Sequence, residues 1–305
     1  MTPTPRKNAT KSALPFNTTL AKREDIVAEF RTLIDNAACN EMTIKPFLEH
    51  YTNMIPTPWE LNHGINFDFM FPQFPVSVSH KCDFFYMTKS TTTWWCVFVE
   101  IESPNARIFR ENAKSVRRHS DFVQALDQID EWKRYLRDHT KEFLERVCSV
   151  MTPFSGNPVQ FRYVLIIGRR GEFERDHAKV RAYSELESGE GNSLRVMTYD
   201  ALMSAALGGR WREYHLLSPN RHKFKFVKII RAPSNVWQVF GPDTLTISSQ
   251  QRQELKGAGI AIDAWSAGAK LGNFGVATEA DLDEKMYSQI ALSLISKKRR
   301  STTEA

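Results

Sequence analysis

The chain has 305 residues, a formal net charge of +6 and a mean hydropathy of −0.41, with 42% hydrophobic and 25% charged residues. These fractions belong to a globular protein and exclude a mostly disordered one, and the length admits one large domain or two modest ones, each able to bury a core. The longest apolar run, Trp94 to Val99, is far below the ~20 residues a membrane-crossing helix needs; residues 1–20 hold no apolar signal stretch, and Cys39, Cys82, Cys96 and Cys148 match no zinc or disulfide spacing, so a cytoplasmic protein with reduced thiols is expected.

Residues 1–20, basic and rich in Pro and Thr, read as a flexible arm. Over 21–36, Ile26, Val27, Phe30, Leu33 and Ile34 recur at helical spacing and predict an amphipathic helix. A short helix is expected over about 44–55, around Phe47 and Leu48, stopped by Pro56 and Pro58. The period then changes. Segments 65–71, 76–79, 82–87 and 94–102 are rich in Phe, Val, Tyr and Trp, and the Thr/Ser cluster 88–93 predicts a hairpin between the last two.

A long helix is expected over 119–147, capped by Ser120, with Phe122, Ala125, Leu126, Ile129, Trp132, Leu136 and Leu144 on its apolar face. A strand over 163–167, a helix near 172–187, a strand over 194–197 and a helix near 199–207 follow. The order predicts an α/β protein, a mixed sheet with helices packed on it.

After Gly208-Gly209 the composition shifts. Residues 210–231 carry seven basic residues against Glu213 alone, which accounts for the whole surplus of charge. Residues 210–247 look β-rich, 248–256 form a short capped helix, 257–276 read as loop, and 279–296 form a last helix before Lys297-Lys298-Arg299-Arg300. The expected division is an arm (1–20), a core domain (21–209) and a basic C-terminal α+β extension (210–305).

The chemistry concentrates at 82–104. Glu100 and Glu102, two apart on a strand, share a face. A hairpin centred on 88–93 sets Asp83 roughly opposite Glu100, one strand spacing away. Three carboxylates converging on an apolar hairpin repel one another and need protons or cations between them. A hard cation such as Mg²⁺, or Mn²⁺ in its place, suits such oxygen ligands. On the following helix, Gln128 lies in a stripe with Ala125, Trp132 and Tyr135 and needs a polar partner.

Asp83, the pair Glu100-Ile101-Glu102, and Gln128 four before Trp132 resemble the PD-(D/E)XK nuclease superfamily. VEIESP, ALDQIDEWKRYL, YVLIIGRR and VMTYDAL, in that order, are similar to the Shedu antiphage-defence nucleases over about 45–207. The resemblance implies Mg²⁺-dependent cleavage or nicking of DNA, a role against phage, and a homo-oligomer. It makes Asp83 and Glu100 metal ligands and has Gln128 position water or phosphate. Glu102 stands where the superfamily usually has Lys, although some restriction enzymes of that fold use a Glu there as ligand or general base. Lys133 and Lys81 are candidate replacement cations, and Glu49 or Glu60 a candidate extra acid from the N-terminal helices. Because of Glu102, a catalytically degenerate DNA-binding or sensing module stays open as the alternative.

Arg169 and Arg170, after a buried strand, are candidate phosphate contacts. In His222-Lys223-Phe224-Lys225-Phe226, strand alternation turns Lys223 and Lys225 outward and both Phe rings inward, so these lysines are candidate DNA contacts. Asp200, opening a helix after a short strand, reads as a structural helix N-cap or first-turn acid. The eight histidines form no zinc motif, and P-loop and G-x-S-x-G sequences are absent.

Overall fold

The computed structural model describes residues 23–60, 65–111, 115–152, 154–187, 193–209, 211–220, 223–230, 234–269 and 271. In chain order these form α1 (Arg23–Ile34), α2 (Glu41–His50), β1 (Ile65–Asn66), β2 (Phe69–Pro75), β3 (Lys81–Lys89), β4 (Trp94–Ile101), α3 (Ser120–Asp138), α4 (Thr140–Met151), β5 (Val159–Ile166), α5 (His177–Glu187), β6 (Leu194–Met197), α6 (Tyr199–Gly208), β7 (His215–Asn220), β8 (Lys223–Lys228), α7 (Val236–Val239), β9 (Leu245–Thr246), α8 (Ser249–Gly257) and α9 (Ile262–Ser266). Short 3₁₀ turns occupy Thr52–Met54 and Arg170–Glu172. The arm over 1–20, the helix over 279–296 and the tail after it lie outside the described residues.

The strands form one mixed nine-stranded sheet in the order β6-β5-β4-β3-β2-β7-β8-β9, with β1 paired to β3. β2, β3 and β4 are an antiparallel meander, while β5 and β6 run parallel to β4. Parallel neighbours need a long return path, which α3–α4 and α5 supply. The α/β class with helices on a mixed sheet is the architecture expected. The hairpin turn lies at the Thr/Ser cluster, where Ser90 N donates to Thr93 O at 2.9 Å.

Alternation along β4 builds two layers. Cys96 and Phe98 enter a core with Phe122, Trp132, Phe143 and Val147 of α3 and α4. Val97, Val99 and Ile101 enter the opposite core with Phe30, Ile44, Leu48 and Leu202 of α1, α2 and α6. Covered on both faces, β4 reads as a nearly continuous apolar run.

Several elements differ from expectation. Segment 76–79 is the turn between β2 and β3: Val76 N and Ser77 N donate to His80 O, and Ser77 Oγ accepts from His80 N, so local polar bonds displace strand pairing. The helix over 119–147 is two helices, because His139 leaves helical dihedrals (φ −123°, ψ 29°) and Thr140 Oγ1 bonds back to Leu136 O at 2.6 Å. His119, whose ring nitrogen accepts from Asp121 N, caps α3 in place of Ser120. α2 begins earlier than expected because Asn40 and Thr43 form a capping box. Residues 257–276, expected as loop, include α9, whose Trp265 is buried and donates through Nε1 to Phe240 O at 3.0 Å.

The basic stretch continues the same sheet across position 210, with β7 parallel to β2 and antiparallel to β8. His215 locks this join. Its Nδ1 accepts from Ile230 N at 3.2 Å, which leaves Nε2 protonated and donating to Ser234 Oγ at 3.0 Å. Burial, and then the charge of Lys228, lower its pKa to about 3.

Candidate functional site

Two strand ends build the site. Phe84 faces Val99 in the β3–β4 ladder, so Asp83 and Glu100 lie across from each other one step further on. A regular strand alternates its faces, but here the phase slips. Phe71 and Phe74 of β2 are three apart, as are Cys82 and Phe85 of β3, yet all four enter one core. The slip sits at Gln73 and Asp83, the pair left out between Pro72↔Phe84 and Phe74↔Cys82. Gln73 has φ 50°, a left-handed conformation uncommon outside glycine. Its Nε2 donates to Asp83 Oδ1 at 2.9 Å, and Ile101 N donates to Asp83 Oδ2 at 2.9 Å. The irregularity thus releases Asp83 from strict face alternation while both its oxygens are held.

Glu100 continues the α3-facing row of Cys96 and Phe98. Gln128 Nε2 donates to its Oε1 at 2.6 Å, whereas its Oε2 is buried with no hydrogen-bond partner. Glu102, half-buried just past the strand, is close enough to Glu41 of α2 for the two carboxyl groups to favour a proton between them. Its backbone is fixed on both sides: Glu102 N donates to Ile166 O at 2.8 Å, and Tyr199 Oη donates to Glu102 O at 2.5 Å.

α2 supplies the other half. Glu41 and Lys45 are one turn apart on one helix face. Lys45 Nζ lies 3.3 Å from Glu41 Oε2 and 2.6 Å from Asp83 Oδ1. Its side chain is 24% exposed, against 4% for Asp83. Four carboxyl groups therefore surround one ammonium, an imbalance that calls for protons or a further cation.

The titration behaviour follows. Burial, reinforced by the charge of Asp83, pushes Glu100 well above the usual carboxylate range. Burial and then Glu41 raise Glu102 to about 7. Burial also raises Asp83, against the opposing pull of Lys45. For Lys45, burial works against its charge, but Asp83 outweighs it and the pKa rises.

Among the described residues, no group of three or more His, Cys, Asp or Glu surrounds a metal-sized position as the side chains stand. The Lys45 ammonium takes the place beside Asp83 Oδ1. The donor chemistry nonetheless fits a hard divalent cation, being all oxygen, with Glu100 Oε2 unpartnered inside it.

The structure brings together Asp83, Glu100, Glu102 and Gln128. The other candidates stand elsewhere. Lys133 is bonded to Asp130 at 2.8 Å and sits over the Tyr163 ring; Lys81 is exposed at the start of β3. Glu49 is half-buried one turn beyond Lys45, and Glu60 accepts from Tyr214 Oη at 3.2 Å. Arg169 is pinned between Asp35 (2.8 Å) and Asp200 (3.2 Å), and Arg170 N donates to Asp200 Oδ2 at 2.7 Å. Asp200 thus holds the turn after β5, while Thr198 caps α6. Arg31, Arg169 and Arg170 line an open cleft of about 440 Å³. On β8, Phe224 and Phe226 are buried while Lys223 and Lys225 face outward.

Glu41, Lys45 and Gln73 escaped the sequence. Glu41 and Lys45 form an i,i+4 pair behind the Asn40 cap, which reads as an ordinary exposed helix pair. Nothing about Gln73 signals its left-handed backbone. The family profile described as Shedu protein SduA, C-terminal, matches residues 38–203, a span that contains every member of the carboxyl cluster. No curated protein matches the chain.

Proposed function

The chain belongs to the Shedu family, and from that membership and its buried acid cluster we propose that it is a Mg²⁺-dependent DNA endonuclease that cleaves or nicks phosphodiesters in defence against phage. The observation that carries this is Glu100 Oε2, a buried carboxylate oxygen without a partner, facing an excess of carboxyl groups. An unpaired buried charge is costly unless a proton or cation joins it. The meander β2–β4, the helical return through α3 and the parallel β5 support a PD-(D/E)XK core.

Asp83 and Glu100 would hold the Mg²⁺, or Mn²⁺ in its place, with Glu102 as a further oxygen donor. Once bound, such an ion acidifies water and neutralises charge building on the phosphate. Gln73 and Ile101 N keep Asp83 oriented, and Gln128 holds one oxygen of Glu100 so that the other stays available. Lys223 and Lys225, with Arg169 and Arg170 beside the strand ends, would attract the phosphate backbone. A homo-oligomeric assembly belongs to the same proposal. No helix of the described residues is long and apolar enough to cross a membrane.

A second reading, a catalytically degenerate DNA-binding or sensing module, draws on one observation: Lys45 already neutralises Asp83 where a metal would bind. Supercoiled and linear DNA incubated with Mg²⁺ or EDTA, beside Asp83→Ala and Glu100→Ala, separates the two. Metal-dependent cleavage lost in both variants supports the nuclease. Cleavage that survives both substitutions refutes the site, and DNA binding without cleavage of any form favours the module.

A further inference from the structure

We propose that Lys45 is the catalytic cation of this site, delivered from α2 rather than from the strand position that Glu102 occupies. The inference rests on the nuclease reading above and assigns the positive charge which that reading leaves unassigned. Attack on a phosphodiester places extra negative charge on the non-bridging oxygens, and Glu102 opposes it.

Geometry singles out Lys45. Lys133 is committed to Asp130 and Tyr163. The Lys45 ammonium is 2.6 Å from Asp83, and its charge also acts on Glu100 and Glu102. It is also the more open partner, 24% exposed over an Asp83 side chain that is 4% exposed. The ammonium therefore stands at the more open edge of the cluster, beside Glu41, whose side chain is 40% exposed. A lysine head has three donors on a flexible four-carbon stem, so it can leave Asp83 Oδ1 for a phosphate oxygen without moving α2. Lys45 would then keep Glu41 and exchange Asp83, its nearer partner in the metal-free chain, for the scissile phosphate once a divalent cation occupies Asp83. In the reaction, a water oxygen bonds to phosphorus as the bond to the leaving oxygen breaks. The water's proton passes to solvent and the leaving oxygen takes one from solvent, while Lys45 stays protonated throughout.

This arrangement sets two readouts in opposite directions, which a merely structural ion pair would not do. In the full chain, Lys45→Met removes a competitor for Asp83, so Mn²⁺ binding measured by calorimetry tightens about tenfold. The same substitution removes the transition-state cation, so the single-turnover nicking rate of supercoiled DNA at saturating Mg²⁺ falls about 100-fold. Lys45→Arg retains the charge and recovers most of the nicking; it also serves as the test variant if Lys45→Met does not fold. Mn²⁺ affinity that is unchanged or weaker in Lys45→Met overturns the proposal. So does wild-type nicking by Lys45→Met beside an inactive Asp83→Ala, which leaves the nuclease reading intact. Nicking that persists in Asp83→Ala and Glu100→Ala instead overturns the nuclease site itself, and Lys45 with it.

Discussion

Glu100→Gln keeps the shape of the side chain and its acceptor for Gln128 Nε2 but removes one charge from the cluster. In the metal-free chain the buried Glu100 carboxyl is a liability. Its cost has a ceiling, because a carboxylate that is too costly takes a proton instead. From an unfolded value of 4.5, that ceiling at pH 7 is about 3 kcal/mol. The folded pKa is raised, so the group's contribution to stability is fully present below pH 4.5 and is lost as pH climbs toward the folded value. Glu100→Gln escapes that loss. Its advantage over the wild type is therefore near zero at pH 4.5 and grows toward pH 7. A gain approaching the ceiling corresponds to roughly 5–10 °C in melting temperature for a domain of this size. Thermal melts of both proteins in EDTA, from pH 4.5 to 8, measure it directly. Added Mg²⁺ raises the wild-type melting temperature by mass action and has a much smaller effect on the variant, whose nicking falls at least about 100-fold. A variant that melts no higher than wild type at pH 7, or whose advantage does not shrink toward pH 4.5, refutes the claim that Glu100 is held against its own desolvation.

His215 gives a test of opposite sign. Its folded pKa is depressed to about 3, so its neutral form stabilises the fold above the unfolded value of 6.5, and that stability drains as pH falls from there toward 3. Between pH 7 and pH 5 the wild type loses about 2 kcal/mol through this group, a loss that His215→Asn lacks; urea titrations at both pH values read the difference, and an equal pH dependence in the two proteins excludes His215 as its source. Lys223→Glu combined with Lys225→Glu, both exposed, leaves the melting temperature unchanged, weakens DNA binding and flattens the slope of log affinity against log salt by about 2. An unaltered slope removes β8 from the DNA contact surface.

Much of the candidate site's geometry was legible because it depends on short-range periodicity. A hairpin turn in a Thr/Ser cluster sets a register, and that register puts Asp83 across from Glu100. The apolar stripe of α3 sets Gln128 toward the sheet, where it meets Glu100. The two-residue period of β8 buries Phe224 and Phe226 and exposes the lysines between and beside them. The same logic failed where side-chain hydrogen bonds overrule local pattern, as at Ser77–His80 and at His139–Thr140. The sequence also showed a sharp break in character at 209, whereas the sheet runs through it, because strand pairing between β2 and β7 joins segments far apart in the chain.

What the sequence by itself determined is the family, the α/β class and the pairing of two acids at the ends of adjacent strands, since each follows from residue order and local spacing. Only the tertiary structure decided where the positive charge stands. Lys45 reaches Asp83 because α2 shares one core with β3 and β4 through Ile44 and Leu48, and Gln73 meets the same carboxylate because β2 slips its phase opposite it. Neither contact has a period to be read from residue order; both arise from one layer laid on another, where a desolvated carboxylate must find whatever cation and donors the packing brings within reach.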